Sequence, residues 1–253
     1  MKKLALALIL ILSLYSCKEE RIIDTSPAGI IINECIEAHG GIAFETALYA
    51  FDFRNKSYLF DYDHGSYSYE SIFRHEKGNV IRDILTNDGV TRKIDGKNVS
   101  LSDEKISSYS QSVNSVHYFA FLPFFLKDEA VRKELLGEES INGKSYDKIQ
   151  VTFGEENGGN DHEDIYIYWV NKESKTMDYL AYSYTNPDDV GVRFRSAYNA
   201  RVVEGIRFQD YINYKHDPET PVANLAALYQ DGSLKELSRI ELSNIRALKR
   251  IEE

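Results

Sequence analysis

The chain is 253 residues long, 43% hydrophobic and 12% aromatic, enough to bury a sizeable core and too apolar for an intrinsically disordered protein. Eighteen Tyr and twelve Phe against two Met favour a β-rich fold, because aromatic rings suit a pleated, half-buried surface. A formal charge of -10, or -12 once the leader with Lys2 and Lys3 is removed (28 basic against 40 acidic), excludes nucleic acid and an anionic membrane face as electrostatic partners.

Residues 1–16 read as an export signal: Lys2 and Lys3 precede an apolar run from Leu4 to Leu14. As a helix that run spans only about 16 Å, against about 30 Å of hydrocarbon, so it does not read as a membrane-spanning segment. The run Leu14-Tyr15-Ser16-Cys17 resembles the lipobox of bacterial lipoproteins, in which Cys17 becomes the acylated first residue of the mature chain. Lys18-Glu19-Glu20 resembles the tag that sends some outer-membrane lipoproteins to the cell surface. Residues 17–26 are then a flexible tether. The acyl anchor (palmitate or a similar chain) places the protein at the outer membrane, facing the periplasm or the cell exterior, and multiple chains make the attachment effectively permanent. Cys35 is left without a disulfide partner and reads as a small buried hydrophobe.

Ser26 as N-cap and Pro27 at the first helical position open a helix whose apolar stripe is Ile32, Cys35, Ile36 and His39, ending at Gly40-Gly41. His39 reads as a packed or capping histidine. From Ala47 to Leu101 the period changes to two, with turns expected at Asp88-Gly89 and Asp95-Gly96, which gives an antiparallel meander. Ser102 to Leu136 reads as two or three helices, apolar almost all round near Tyr118 and Phe125, bent at Pro123 and stopped by Gly137. The segment Pro123-Phe124-Phe125-Leu126 reads as a buried plug in preference to a membrane-inserting loop.

The meander resumes with Glu138–Ile141 and Lys144–Phe153 around Asn142-Gly143. After a Gly-rich acidic loop comes an aromatic hairpin, Asp161 to Thr185. Ile165, Ile167 and Trp169 share one face of its first strand and Tyr166, Tyr168 and Val170 the other. In its second strand Leu180, Tyr182 and Tyr184 face one way, and Met177, Tyr179 and Ala181 the other. A sheet apolar on both faces must be covered twice, by helices, by another sheet or by an apolar ligand. Val190–Val203 and Ile206–Tyr214 turn at Glu204-Gly205, a helical turn follows near Asn224–Tyr229, and Leu234–Ile245 closes the sheet. The fold class expected is α+β, mainly antiparallel β: one curved, open half-barrel of about eleven strands with helices plugging its concave face, occupying residues 27–253 as a single domain.

Several short stretches carry a family resemblance: Glu37-Ala38-His39-Gly40-Gly41, Tyr118-Phe119-Ala120-Phe121-Leu122-Pro123, Tyr168-Trp169-Val170-Asn171 and Val203-Glu204-Gly205-Ile206-Arg207-Phe208. With the order of elements, they make the chain resemble the LolA/LolB-like open-barrel lipoproteins, and a group of outer-membrane lipoproteins of unknown function with the same layout. The resemblance implies a concave face that holds acyl chains or another hydrophobic ligand, with Trp169, Tyr168, Tyr182, Tyr118, Phe121, Phe124 and Phe125 as the lining. Its partners are then the membrane, through acylated Cys17, and a lipid or other hydrophobic small molecule, with no cofactor, no catalysis and a monomeric state.

Two other classes compete. Asp61, Asp63 and His64, with Asp161, His162, Glu163 and Asp164, could converge to bind a metal and support a metal-assisted hydrolase, although neither cluster has a recognisable ligand spacing. An exposed platform of Tyr and Trp would instead make a surface glycan- or protein-binding module. The sequence contains no GxSxG elbow, phosphate-cradling glycine loop, HExxH or CxxC.

Overall fold

The computed structural model describes residues 24–154, 164–186 and 189–250. Its first element, α1 (Pro27–His39), starts as the sequence predicts: Gly29 N–H donates to Ser26 Oγ at 3.0 Å, and Pro27 needs no partner for the N–H it lacks. Ile32, Cys35, Ile36 and His39 are its buried face, and Gly40 ends it with φ +153°. A Cβ on Gly40 would stand 3.1 Å from the Phe44 ring and 3.2 Å from Ile206, so the close approach of α1 to the sheet also requires glycine here. A 3-10 turn over Gly41–Thr46 leads into the strands.

β1 (Leu48–Phe53), β2 (Lys56–Asp63), β3 (Ser66–Arg74), β4 (Val80–Thr86), β5 (Gly89–Ile94) and β6 (Lys97–Val99) form the expected meander. The turn between β5 and β6 is Asp95-Gly96, both with positive φ (48° and 80°) as a tight two-residue hairpin demands. The turn before it is Asn87-Asp88, one residue earlier than expected, because Gly89 already pairs with Thr86. A single long helix, α2 (Asp103–Ala120), then crosses this sheet.

The chain after α2 departs from expectation. The Leu122–Pro123 peptide is cis, Phe124–Lys127 forms a 3-10 turn, and β7 (Val131–Ile141) contains the expected strand Glu138–Ile141 but begins at Val131, so that Val131–Leu136 is strand where the sequence predicts helix. Lys, Glu and Leu are good helix formers, but pairing with β8 (Lys144–Phe153) overrides that propensity, with a bulge between Leu135 and Gly137. β7 is an edge strand, so Leu135 and Leu136 stay well exposed.

β9 (Tyr166–Asn171), β10 (Met177–Asn186), β11 (Asp189–Val203) and β12 (Ile206–His216) continue antiparallel. The Asn142-Gly143 and Glu204-Gly205 turns have the predicted positive φ at both positions. A 3-10 turn Val222–Asn224 and α3 (Leu225–Gln230) precede β13 (Lys235–Ile240) and β14 (Leu242–Ala247).

The strands divide into two seven-stranded antiparallel sheets, ordered β14-β1-β2-β3-β4-β5-β6 and β13-β12-β11-β10-β9-β8-β7. This corrects the expectation of one sheet of about eleven strands: the described residues hold fourteen strands in two. β13 and β14 are one run interrupted only at Glu241, so a single stretch of chain belongs to both sheets. Asp210, 2% exposed, pins that corner by accepting the Leu242 N–H and an Arg201 guanidinium N–H, each at 3.0 Å. The main core lies between the sheets, α1 and α2; a second cluster lies on the opposite face of β9–β11, under α3.

Candidate functional site

The residues between the two sheets do not fill the space they enclose. A cavity of about 1010 Å³ lies there, lined from α2 and the turn after it by Tyr118, Phe119, Leu122, Phe124 and Phe125, and from the second sheet by Tyr166, Tyr168, Leu180, Tyr182 and Arg195. Tyr62, Tyr67 and Tyr69 contribute from β2 and β3. Its size matches the upper range of small-molecule sites, about 300–1000 Å³.

The wall carried by α2 is held from behind. His117, fully buried in the last turn of α2, places Nδ1 2.8 Å from the Val113 carbonyl and Nε2 2.9 Å from the Leu59 carbonyl of β2. Its ring stacks on Tyr69 at 4.9 Å and meets Phe51 and Tyr58 edge-on. Burial pushes its pKa down to about 4 despite the two carbonyls, which pull the other way, so near neutral pH it is an uncharged imidazole donating to one carbonyl at a time. Phe121 stacks on Phe60 with centroids 3.6 Å apart. Phe124 stacks on Phe44 at 4.8 Å, under the Lys127 ammonium 3.7 Å from its centroid, and Lys127 pairs with Glu45 at 2.7 Å.

The opposite wall is a ladder of rings, Tyr166 stacking on Tyr182 at 5.3 Å and on Tyr168 at 6.4 Å, while on the α2 side Tyr118 stacks on Phe125 at 5.2 Å. The Arg195 guanidinium donates to Tyr182 Oη at 2.9 Å, and an Arg193 N–H donates to Tyr184 Oη. Burial raises the pKa of both Tyr118 and Tyr168, keeping these phenols neutral donors.

Of the seven residues expected to line a ligand site, Tyr168, Tyr182, Tyr118, Phe124 and Phe125 border this cavity, whereas Phe121 and Trp169 do not. Phe121 is 1% exposed and packs among Phe60, Tyr49, Phe51 and Phe208. Trp169 follows strand alternation to the other face of β9. There it packs edge-on against Phe194 at 5.6 Å and donates from Nε1 to Glu139 at 2.9 Å, in the cluster that includes Val222 and Leu225. A bulge at Asp178 also turns Met177 onto the face of Leu180 and away from Tyr179. Met177 N–H donates to His39 Nε2 at 3.1 Å, tying α1 to β10; burial, aided by Arg207, lowers the His39 pKa to about 3.

Arg195 and its strand neighbour Arg193 were missed by the sequence reading. The alternation Arg193, Arg195 against Val192, Phe194 in β11 is visible in the sequence, but nothing local says that the arginine face borders a hollow.

The acidic clusters give a different picture. Asp61 accepts from Arg250 at 2.5 Å, and Asp63 and His64 are exposed at the β2–β3 turn. Asp161, His162 and Glu163 lie outside the described residues, as does Cys17 with the leader and most of the tether. Among the described residues no three His, Cys, Asp or Glu side chains come together as a metal site, and no helix is long and apolar enough to cross a membrane.

The fold is LolA-like. The chain superposes on the crystal structure of a LolA superfamily protein from Nitrosomonas europaea with a TM-score of 0.52 and 12% identity, over 89% of this chain and 94% of that one. It also matches an outer-membrane lipoprotein-sorting protein domain from Vibrio parahaemolyticus at a TM-score of 0.42 and 12% identity, over 82% and 86% of the two chains. No curated protein sequence matches it. The chain belongs to the family of unknown function DUF6503, whose model matches residues 5–242.

Proposed function

We propose that this protein is a lipoprotein, held in the outer membrane through acylated Cys17, that binds the apolar part of a lipid or acylated molecule between its two sheets as a monomer and without catalysis. The observation that carries the reading is the ring-lined cavity of about 1010 Å³ under α2. A hexadecanoyl chain with about 14 methylenes removed from water gains about 11 kcal/mol. Set against an association cost of about 4 kcal/mol, the lower end of the usual range, that leaves binding near 10 μM. A permanent anchor suits accepting, retaining or presenting a ligand better than shuttling it between membranes. Phe124, Phe125 and Tyr168 are buried, which favours an enclosed ligand over a flat glycan platform.

The test is native mass spectrometry of the full chain purified from membranes, before and after delipidation and incubation with palmitate. A co-purifying amphiphile, or one palmitate taken up per chain, is the expected result. A chain that carries nothing and takes up nothing contradicts the reading.

A further inference from the structure

Arg195 forms no ion pair among the described residues, although the carboxylates of Asp128 and Asp164 line the same cavity. Arg195, half-buried on β11, keeps its guanidinium 5.1 Å from the Tyr182 centroid and 5.8 Å from that of Phe119, with Tyr182 Oη as its hydrogen-bond acceptor. Among the described residues no carboxylate pairs with it, and its Nε–H is shielded from solvent without an acceptor. The arginines Arg92 and Arg201, by contrast, hold Asp83 and Asp210. Directly across the ladder from Arg195, Asn213 of β12 lines the same cavity; its Nδ2 donates to Ser238 Oγ at 3.2 Å and its Oδ1 is buried without a partner. The Ser238 hydroxyl can donate as readily as it accepts, so the amide can turn over, keep that bond and offer an N–H in place of the oxygen. Two neighbouring donors would then point at one spot beside an aromatic hollow, the pattern that receives a carboxylate or a phosphate.

We propose that Arg195 is the head-group anchor of the cavity, so that the ligand is an amphiphile with an anionic carboxylate or phosphate head and an apolar tail lying against Tyr168, Tyr118 and Phe125. The inference rests on the acyl-chain reading of the cavity and narrows it to anionic amphiphiles. A half-buried cation without an ion pair is costly, and an anionic head offsets that cost where an alcohol head does not.

The experiment is a competition on the delipidated full chain in octyl glucoside, offered equimolar palmitate, hexadecyl phosphate and hexadecanol, with occupancies read by native mass spectrometry. The wild-type chain is expected to prefer the anionic ligands over hexadecanol by about tenfold or more. Arg195→Gln is expected to remove that preference while hexadecanol occupancy stays within about threefold, and Arg195→Lys to keep part of it. Palmitate ahead of hexadecyl phosphate assigns a free acid head, and the reverse order a phospholipid-type head; either supports the proposal. Equal occupancy by hexadecanol in the wild-type chain, which needs no variant, overturns the anchor alone, as does a preference that survives in Arg195→Gln. No uptake of any of the three probes overturns the acyl-chain reading and the anchor together.

Discussion

Adjacent residues of β9 meet opposite fates. Trp169 is sealed on one face by Phe194, by the 3-10 turn at Val222 and by α3, with no exposed surface; Tyr168, one residue earlier, borders the cavity on the other face. Both faces are aromatic, so ring content does not mark a binding surface. What differs is the cover. On the Trp169 side a short helix with Leu225 and Ala226 fits against the sheet and closes it. On the Tyr168 side the cover is α2, fixed to the first sheet by His117 and Phe121 and so held off the second.

The contrast between the two faces is broken most severely on the closed side. Trp169→Ala should cost about 3–5 kcal/mol in urea unfolding, as expected for removal of a fully buried large ring, while palmitate uptake by the folded fraction stays unchanged. A loss of uptake with little loss of stability would put the ligand on the Trp169 face.

Acid should loosen what keeps the open side open. His39 and His117 have folded pKa values lowered to about 3 and about 4, below the unfolded value of about 6.5. The unfolded chain therefore binds more protons between these limits. Stability contributed by the two neutral histidines is complete above about pH 6.5 and is lost progressively as the pH falls toward 4 and below. For His117 the loss is on the order of 3 kcal/mol. Unfolding free energies measured across this range should fall with acid, and His117→Gln should flatten part of the slope; an unchanged slope would mean the imidazole is not held neutral.

On the open side the effects should separate the other way. Tyr182→Ala, at a half-buried position, should cost less than about 1.5 kcal/mol of stability yet reduce palmitate occupancy about tenfold. Equal retention of ligand would remove this wall from the site. The smallest effect belongs to the exposed β2 end: Asp61→Asn, which breaks the pair with Arg250, should change stability by no more than about 1 kcal/mol. Stoichiometric metal in the wild-type chain by elemental analysis, lost in this variant, would restore the hydrolase alternative.

Much of the fold was readable from residue order. Alternation assigned Tyr166, Tyr168 and Val170 to one face and Ile167 and Trp169 to the other, and the Asp95-Gly96, Asn142-Gly143 and Glu204-Gly205 pairs fixed three hairpins. The features that could not be read are decided by distant partners. Whether Trp169 or Tyr168 faces a hollow depends on α3, which lies more than fifty residues along the chain. The residues of β7 carry helical propensity and become a strand only because β8 pairs with them. The division into two sheets turns on one residue, Glu241, inside a run that alternates like a single strand, and the displaced Met177 depends on a bulge that no local pattern announces.

The central claim is that the sheet is open on one face and shut on the other, and photolabelling tests it most directly. A diazirine-bearing palmitate, irradiated with the full chain and mapped residue by residue, should label Tyr118, Tyr168 or Tyr182 and spare Trp169 and Phe194. Labels on Trp169 or Phe194, or labels confined to exposed surface residues, would contradict the account.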